Sequence, residues 1–198
     1  MKKLYLAAAV VAPVLLTSCI PVLIGGAATG GVVAAQERTT GNAVDDSTIK
    51  VTLDAKFGQQ DTADLLRNVV THVTEGRVML TGDVDKPDSK TEAVRIAWTV
   101  NGVKEVMDEI QVNDKTGVVD YAQDSWIANQ IRTKLLVEKD LRSVNYSVEV
   151  VNGVVYLMGI AQNQEELNKA TYLASTTSHV KQVISHVILK EDQRRAIK

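Results

Sequence analysis

The chain has 198 residues, a formal net charge of −2 and a single cysteine. One cysteine excludes a disulfide within the chain, and the slight excess of acidic residues argues against nucleic acid as a partner. Because only 4% of the residues are aromatic, we expect cores built from aliphatic side chains.

The first 19 residues have the pattern of a lipoprotein signal peptide. Lys2 and Lys3 precede an apolar run over 4–16, which is too short for a membrane span and has the form of a secretory signal. The run ends in Leu-Thr-Ser-Cys19, which resembles a bacterial lipobox. That resemblance implies that Cys19 is the lipid attachment site and first mature residue. Ile20, in place of the Asp that would retain a lipoprotein in the inner membrane, implies the outer membrane, facing the periplasm.

Residues 20–45 are rich in Gly, Ala, Val and Thr. The segment lacks the Lys-Ser/Thr ending of a phosphate-binding loop, and its glycines make a poor helix. The sequence therefore predicts a flexible tether close to the lipid surface rather than a structured element.

The rest of the chain contains one pattern twice. Copy one covers 46–112 and copy two covers 124–190, with a linker over 113–123 and a charged tail over 191–198. Matched positions are 78 residues apart at the start of the copies and 77 apart from the hairpin glycines onward, so one residue is gained or lost in the loop between. A repeat of this length is too long for a solenoid unit and suits a small domain.

Each copy begins with a predicted helix and hairpin. Asp46-Ser47 and Asp124-Ser125 are capping signals, and apolar residues follow every four positions. These residues are Ile49, Leu53 and Phe57 in copy one, and Ile127, Ile131 and Leu135 in copy two. Asn152-Gly153 between two β-rich runs is a strong hairpin signal, and Glu75-Gly76 is its weaker counterpart.

A second helix and a last strand complete each copy. The helices over 88–100 and 164–176 carry small residues four positions apart, which would let them lie close to a sheet: Ala93, Ala97, Ala170 and Ala174. The strands cover 106–112 and 183–190. Two helices on one face of a three-stranded sheet make a two-layer α+β fold.

The αββαβ order resembles the BON domain family. The resemblance rests on the glycine-bounded hairpins over 76–82 and 153–159 and on the Val-x-x-Val strand entries over 103–106 and 180–183. It implies an α+β fold of two tandem BON domains, each with two helices packed on a three-stranded mixed sheet. Copy two has His179 where copy one has the family glycine, and His tolerates a positive φ better than most residues.

A lipobox followed by two such domains is similar to the dual-BON outer-membrane lipoproteins. The resemblance implies a non-enzymatic role in outer-membrane integrity, binding of anionic phospholipid (phosphatidylglycerol or cardiolipin) by the second domain, and localisation at the division site. The charges agree with a ligand on copy two, because copy one has 12 acidic and 8 basic residues whereas copy two has 6 and 7.

Trp126 marks the expected lipid-binding face. It lies about 140° around the first helix of copy two from the apolar stripe, and copy one has Thr48 at the same position. An outward Trp with polar neighbours is typical of an interfacial anchor, and nearby cations would attract an anionic surface. The cations are Arg132, Lys134, Lys139 and Arg142. The candidate site is Tyr121, Trp126, Ile127, Gln130, Thr133, Lys134 and Val137.

Other interpretations remain open at this point. Trp126 could instead pack on the linker, against Tyr121, or on domain one, and Trp98 is interpreted as a packing residue. The main rival function is a protein-interaction adaptor for an envelope partner such as the outer-membrane protein assembly machinery. A weaker one is a periplasmic hydrolase or peptidoglycan-binding module.

The sequence predicts no catalytic site, metal or cofactor. Its three histidines, His72, His179 and His186, have no metal-ligand spacing with Cys, Asp or Glu. Three aspartates after the first hairpin could suggest Ca²⁺, but the remaining ligands of such a loop are missing. They are Asp83, Asp85 and Asp88, interpreted as a solvated acidic loop.

Overall fold

The computed structural model describes residues 40–59, 62–113 and 118–196. The predicted signal peptide, Cys19 and residues 20–39 of the predicted tether lie outside the described residues. The first domain contains α1 (Thr40–Phe57), α2 (Ala63–Asn68), β1 (Val69–Thr74), β2 (Arg77–Val84), α3 (Pro87–Trp98) and β3 (Glu105–Val112). The second contains α4 (Val118–Val137), β4 (Tyr146–Val151), β5 (Val154–Ala161), α5 (Gln164–Ser175) and β6 (Gln182–Leu189).

Each domain has a three-stranded mixed sheet, and the second strand of its hairpin lies in the middle. In the first, β1 is antiparallel to β2 and β2 is parallel to β3, and β4, β5 and β6 repeat this arrangement. The predicted α+β fold with mixed sheets is therefore confirmed. The strands of the two copies are in equivalent register, because Val69 pairs with Gly82 and Tyr146 pairs with Gly159.

Both hairpins turn through the two residues that the sequence indicates. Glu75 and Gly76 have φ of 55° and 78°, and Asn152 and Gly153 have 54° and 79°. Two consecutive positive φ values are those of a type I′ turn, whose twist matches that of the flanking strands. His179 also has a positive φ, 69°, as the comparison with Gly102 predicts.

The predicted helix starts are wrong. The first helices begin at Thr40, inside the predicted tether, and at Val118, inside the predicted linker. Asp46 and Asp124 therefore lie within helices and do not cap them. Their carboxylates instead accept hydrogen bonds from the two backbone amides of the hairpin turn, at 2.9 Å in copy one and at 2.6 and 2.8 Å in copy two.

Domain one also has a short helix that the sequence pattern does not predict. It is α2, which stands where domain two has only a 3₁₀ turn over Ser143–Asn145. Leu65 in α2 is buried and joins the core of its domain. The repeat offset also changes between the first helix and the first strand, so the one-residue difference between the copies lies in this segment.

Each sheet carries a separate apolar core on its helical face. Val78 and Leu80 of β2 pack with α1 and α3, and Val155 and Leu157 of β5 pack with α4 and α5. The predicted small residues of α3 and α5 are fully buried: Ala93, Ala97, Ala170 and Ala174. The alternate residues of the central strands point the other way into a third cluster, which joins the two domains.

Candidate functional site

The helix α4 turns three large apolar side chains toward solvent. We call this set the ridge, and Leu136 lies at its edge, about 80° around the helix from Trp126. Trp126 is 46% exposed, Leu136 is 70% exposed and Val137 is 71% exposed. Gln130 and Thr133 are exposed on the same helix. At 100° per residue, Gln130, Thr133 and Val137 lie within about 40° of Trp126. The structure therefore brings Trp126, Gln130, Thr133 and Val137 onto one outward face.

Two of the predicted site residues do not share this face. Ile127 is completely buried in the core of domain two, so its inclusion among the lipid contacts is wrong. It belongs to the stripe that repeats every four residues, and burial of that stripe holds α4 on the sheet. Tyr121 is 76% exposed, but it lies about 140° around the helix from Trp126 and outside its ridge.

Trp126 contacts a histidine in the loop between α5 and β6. The indole and the His179 imidazole meet edge to face, with ring centroids 5.8 Å apart and an interplanar angle of 83°. This geometry is favourable for an aromatic pair. The positive φ of His179 is part of the turn that leads into β6, so the backbone of this turn sets the position of the ring beside the indole.

The ammonium group of Lys134 places a positive charge beside the ridge. This ammonium donates to the Thr177 hydroxyl at 2.8 Å and to the Thr176 carbonyl at 3.4 Å. Both acceptors are uncharged and lie just after the C-terminal end of α5, where the helix dipole favours a cation. Among the described partners of Lys134 there is no carboxylate, so its charge adds to the local potential.

The acidic residues just beyond α4 are held by a lysine. Lys169 lies 3.1 Å from both Glu138 and Asp140. Hydrogen bonds to Glu138, and then to Asp140, raise the pKa of the Lys169 ammonium. This pairing reduces the negative field at the end of the ridge, where Lys139 is exposed.

Copy one has none of these apolar side chains at the matched positions. Thr48 replaces Trp126, Gly58 replaces Leu136 and Gln59 replaces Val137. The two domains share a scaffold, and the ridge is a feature of domain two.

Sequence reasoning missed two members of this surface and misplaced one other tryptophan. Leu136 lies outside the predicted site, although its position next to Val137 at the end of the helix, one residue past the stripe, is a usable signal. In the sequence, His179 stands out only as a departure from the family glycine. Trp98, interpreted as a packing residue, is 55% exposed at the end of α3, so that interpretation is wrong.

Among residues 40–59, 62–113 and 118–196, no three His, Cys, Asp or Glu side chains cluster in a way that could hold a metal ion. Asp83, predicted to lie in a solvated acidic loop, lies instead within β2, so that prediction is wrong for this residue. It accepts hydrogen bonds from the Asn113 and Asn152 side chains. Over the same part of the chain, no helix is long and apolar enough to cross a membrane.

Comparison with known proteins gives a family and several relatives. The BON domain model matches residues 45–114 and again 123–191. An uncharacterised protein from the gshII 5′ region of Anaplasma centrale is 42% identical over 153 residues, which are 77% of this chain and 99% of that protein.

Two relatives have descriptive names. The outer membrane lipoprotein DolP of Haemophilus influenzae is 35% identical over 175 residues, covering 87% of this chain and 89% of DolP. The osmotically-inducible protein Y of Escherichia coli is 33% identical over 146 residues, covering 72% of each chain.

Proposed function

The chain belongs to the BON domain family as a protein with two BON domains, and from this we propose that it is a non-enzymatic, periplasm-facing lipoprotein of the outer membrane that binds anionic phospholipid through its second domain. Acylation at Cys19 would anchor it. The name of the Haemophilus influenzae relative, an outer membrane lipoprotein, supports the location. A role in outer-membrane integrity and localisation at the division site complete the proposal and rest on the family resemblance alone.

One observation carries the lipid proposal: α4 exposes Trp126, Leu136 and Val137 on a helix whose copy-one counterpart has small or polar residues there. In water, an exposed ridge of large apolar side chains is unfavourable, and its burial at a bilayer surface releases about 25 cal/mol per Å² of apolar area. Trp is the residue type that favours the headgroup level of a membrane.

Electrostatics favours an anionic surface over a neutral one. Lys134 flanks the ridge with a charge that neutral acceptors hold in place, and Lys169 pairs with two carboxylates just beyond the end of α4. A lysine near an anionic membrane contributes about 1 kcal/mol. Phosphatidylglycerol and cardiolipin both present this charge.

The two tryptophans of the chain allow a direct test with residues 40–198 as a soluble protein. Trp98→Phe leaves Trp126 as the only emitter, and Trp126→Phe leaves Trp98. With vesicles of phosphatidylglycerol, we expect a blue shift of emission from Trp126 and none from Trp98. Vesicles of phosphatidylcholine should give neither shift. Equal shifts from both tryptophans, or none from Trp126, would count against the site.

Removal of the side chain tests whether Trp126 contributes to affinity. Trp126→Ala should lower phosphatidylglycerol vesicle binding roughly tenfold, which corresponds to about 1.4 kcal/mol. The loss of its contact with His179 should lower the melting temperature only slightly. Trp98→Ala is the matched control, because Trp98 is at least as exposed but lies in domain one. Binding that survives Trp126→Ala would remove Trp126 from the site.

A second function has an observation of its own. Domain one carries the excess of acidic residues and exposes Trp98, and exposed Trp residues are enriched at the centres of protein interfaces. We propose as the alternative that domain one acts as an adaptor for an envelope protein such as the outer-membrane protein assembly machinery. Under this alternative, Trp98→Ala loses a co-purifying partner that Trp126→Ala retains, and the reverse result would refute it.

A further inference from the structure

The two domains meet through the open faces of their sheets with an approximate twofold symmetry. Met79 in β2 and Tyr156 in β5 occupy matched positions, as do Met107 in β3 and Ile184 in β6. All four belong to the apolar cluster between the domains, together with Val151, Val154 and Met158. An interface in which the same patch is used on both sides is the kind that joins two identical subunits.

Two histidine–glutamate pairs flank this cluster. His72 Nε2 lies 3.4 Å from Glu149 Oε2, and His186 Nε2 lies 2.7 Å from Glu109 Oε1. In both pairs the partners are 77 residues apart, which is the offset between the two copies. Each pair therefore joins one position of the repeat to the same position in the other copy.

The residue types at these positions are exchanged between the domains. Domain one has His on its first strand and Glu on its last, whereas domain two has Glu on its first strand and His on its last. If a face of domain one met another copy of itself, His72 would face His72 and Glu109 would face Glu109. Two faces of domain two would likewise set Glu against Glu and His against His. Like groups facing each other across an interface cost free energy, and such contacts select against the wrong partner.

We propose that these four side chains determine which domains pair. They favour contact between the open sheet faces of domain one and domain two over contact between two copies of the same domain. The cluster of apolar side chains supplies contact area that a self-pairing would also bury. The His–Glu pairs supply the discrimination. This inference does not depend on the lipid-binding proposal, which concerns the opposite, helical side of domain two.

Two arginines lie near the pairs. Arg132 Nη2 lies 3.9 Å from the Glu149 carboxylate, on the side of domain two. Arg77 is buried, pairs with Glu105 at 2.6 Å and donates to the His186 carbonyl at 3.1 Å. Neither arginine replaces a histidine in the pairs, so an exchange of His for Glu changes the matched contact directly.

Three variants of the full chain test whether the His–Glu contacts determine this pairing. A domain-one exchange combines His72→Glu with Glu109→His, and a domain-two exchange combines Glu149→His with His186→Glu. Each creates one Glu–Glu and one His–His contact. The fourfold variant restores both pairs with reversed polarity. It carries every substitution of the two exchanges, at four partly buried positions, but only the two exchanges are mismatched.

The interface can be observed directly because three of the four methionines of the chain, Met79, Met107 and Met158, lie in the cluster between the domains. We expect each exchange to shift their methyl resonances and to lower the melting temperature by about 3–6 °C. The fourfold variant should recover the native spectrum and come within about 2 °C of the native melting temperature. Additive losses in the fourfold variant would overturn the proposal, since independent sites add and paired sites do not.

A mixture of the two exchanged chains tests selection between copies. Domain one of the first chain matches domain two of the second, and the remaining two domains match as in the native chain. We expect a heterodimer by light scattering in the mixture and not in either chain alone. A mixture that behaves as the sum of its components would contradict selection by these residues.

Discussion

The carboxylate of Asp46 accepts a hydrogen bond from the backbone amide of Gly76 at 2.9 Å, although the two residues are 30 positions apart. The same carboxylate accepts the amide of Glu75. Asp124 repeats the arrangement with Asn152 and Gly153. One acidic residue of the first helix thus fixes the turn of the hairpin in each domain, and so couples the helical layer to the sheet.

Removal of this carboxylate should destabilise its domain. Asp46→Ala leaves two amides of a buried turn without an acceptor, and hydrogen bonds to a charged group contribute about 1.5–3 kcal/mol each. We expect a loss of about 2–4 kcal/mol in the free energy of unfolding, measured by urea denaturation. Asp45→Ala, at the exposed neighbouring position, is the control and should cost less than about 0.5 kcal/mol. A similar loss in both variants would contradict the role of the turn.

This contact also shows where local sequence patterns stop being informative. An Asp followed by Ser at the start of an apolar stripe is a normal capping signal, and a carboxylate that holds a distant turn uses the same residue type. Only the position of the hairpin above the helix distinguishes them. The helices consequently begin several residues earlier than the pattern predicts, whereas the stripe itself and the type I′ turns follow from local periodicity and local φ preferences.

The sequence alone could not predict the interface between the domains, for a related reason. Residues 154–161 of β5 are an almost continuous apolar run, which is typical of a strand buried on both faces. The run indicates that something covers the second face, but not that domain one does. The outward position of Trp126 could be predicted because the apolar stripe fixes the rotation of α4. The exposure of Leu136 depends on where the helix ends. The position of His179 beside Trp126 depends on a turn in another part of the chain.

Gly159 should be intolerant of any side chain. Its φ is 150°, and a Cβ there would overlap the carbonyl oxygen of Asn145, in the turn just before β4. We expect Gly159→Ala to cost about 2–4 kcal/mol, since both backbone strain and displacement of β4 contribute. The measurement is urea denaturation of the full chain.

Gly102→Ala is the informative comparison for Gly159→Ala. Gly102 also has a positive φ, 90°, but a Cβ there would meet only the tip of the Ile49 side chain at 3.2 Å. We expect it to cost about 1 kcal/mol, the strain of a positive φ alone. Equal costs at the two glycines would show that the close approach of the Asn145 carbonyl is not the cause.

Alkaline pH should open the contact between the domains through Tyr156. Burial raises the pKa of its phenol, the hydrogen bond from Gln111 lowers it by less, and Glu109 and Asp83 add to the rise. The folded pKa therefore exceeds the unfolded one, so the stabilisation is complete below about pH 10, the ordinary pKa of Tyr. It is lost as pH rises from there through the folded pKa, because the unfolded chain releases the proton first.

The Tyr156→Phe variant isolates this effect. Its melting temperature should fall less steeply than that of the native chain above about pH 10, and the methyl resonances of Met79, Met107 and Met158 should keep their native positions to higher pH. Tyr172→Phe is the control, since Tyr172 is 66% exposed on α5 and should leave the native pH profile in place. Tyr146 packs against the core of domain two, where burial and Glu166 raise its pKa as well. We therefore expect a second alkaline transition, which Tyr156→Phe should retain. If the Tyr156→Phe profile matches that of the native chain, the interface does not depend on the neutral form of Tyr156.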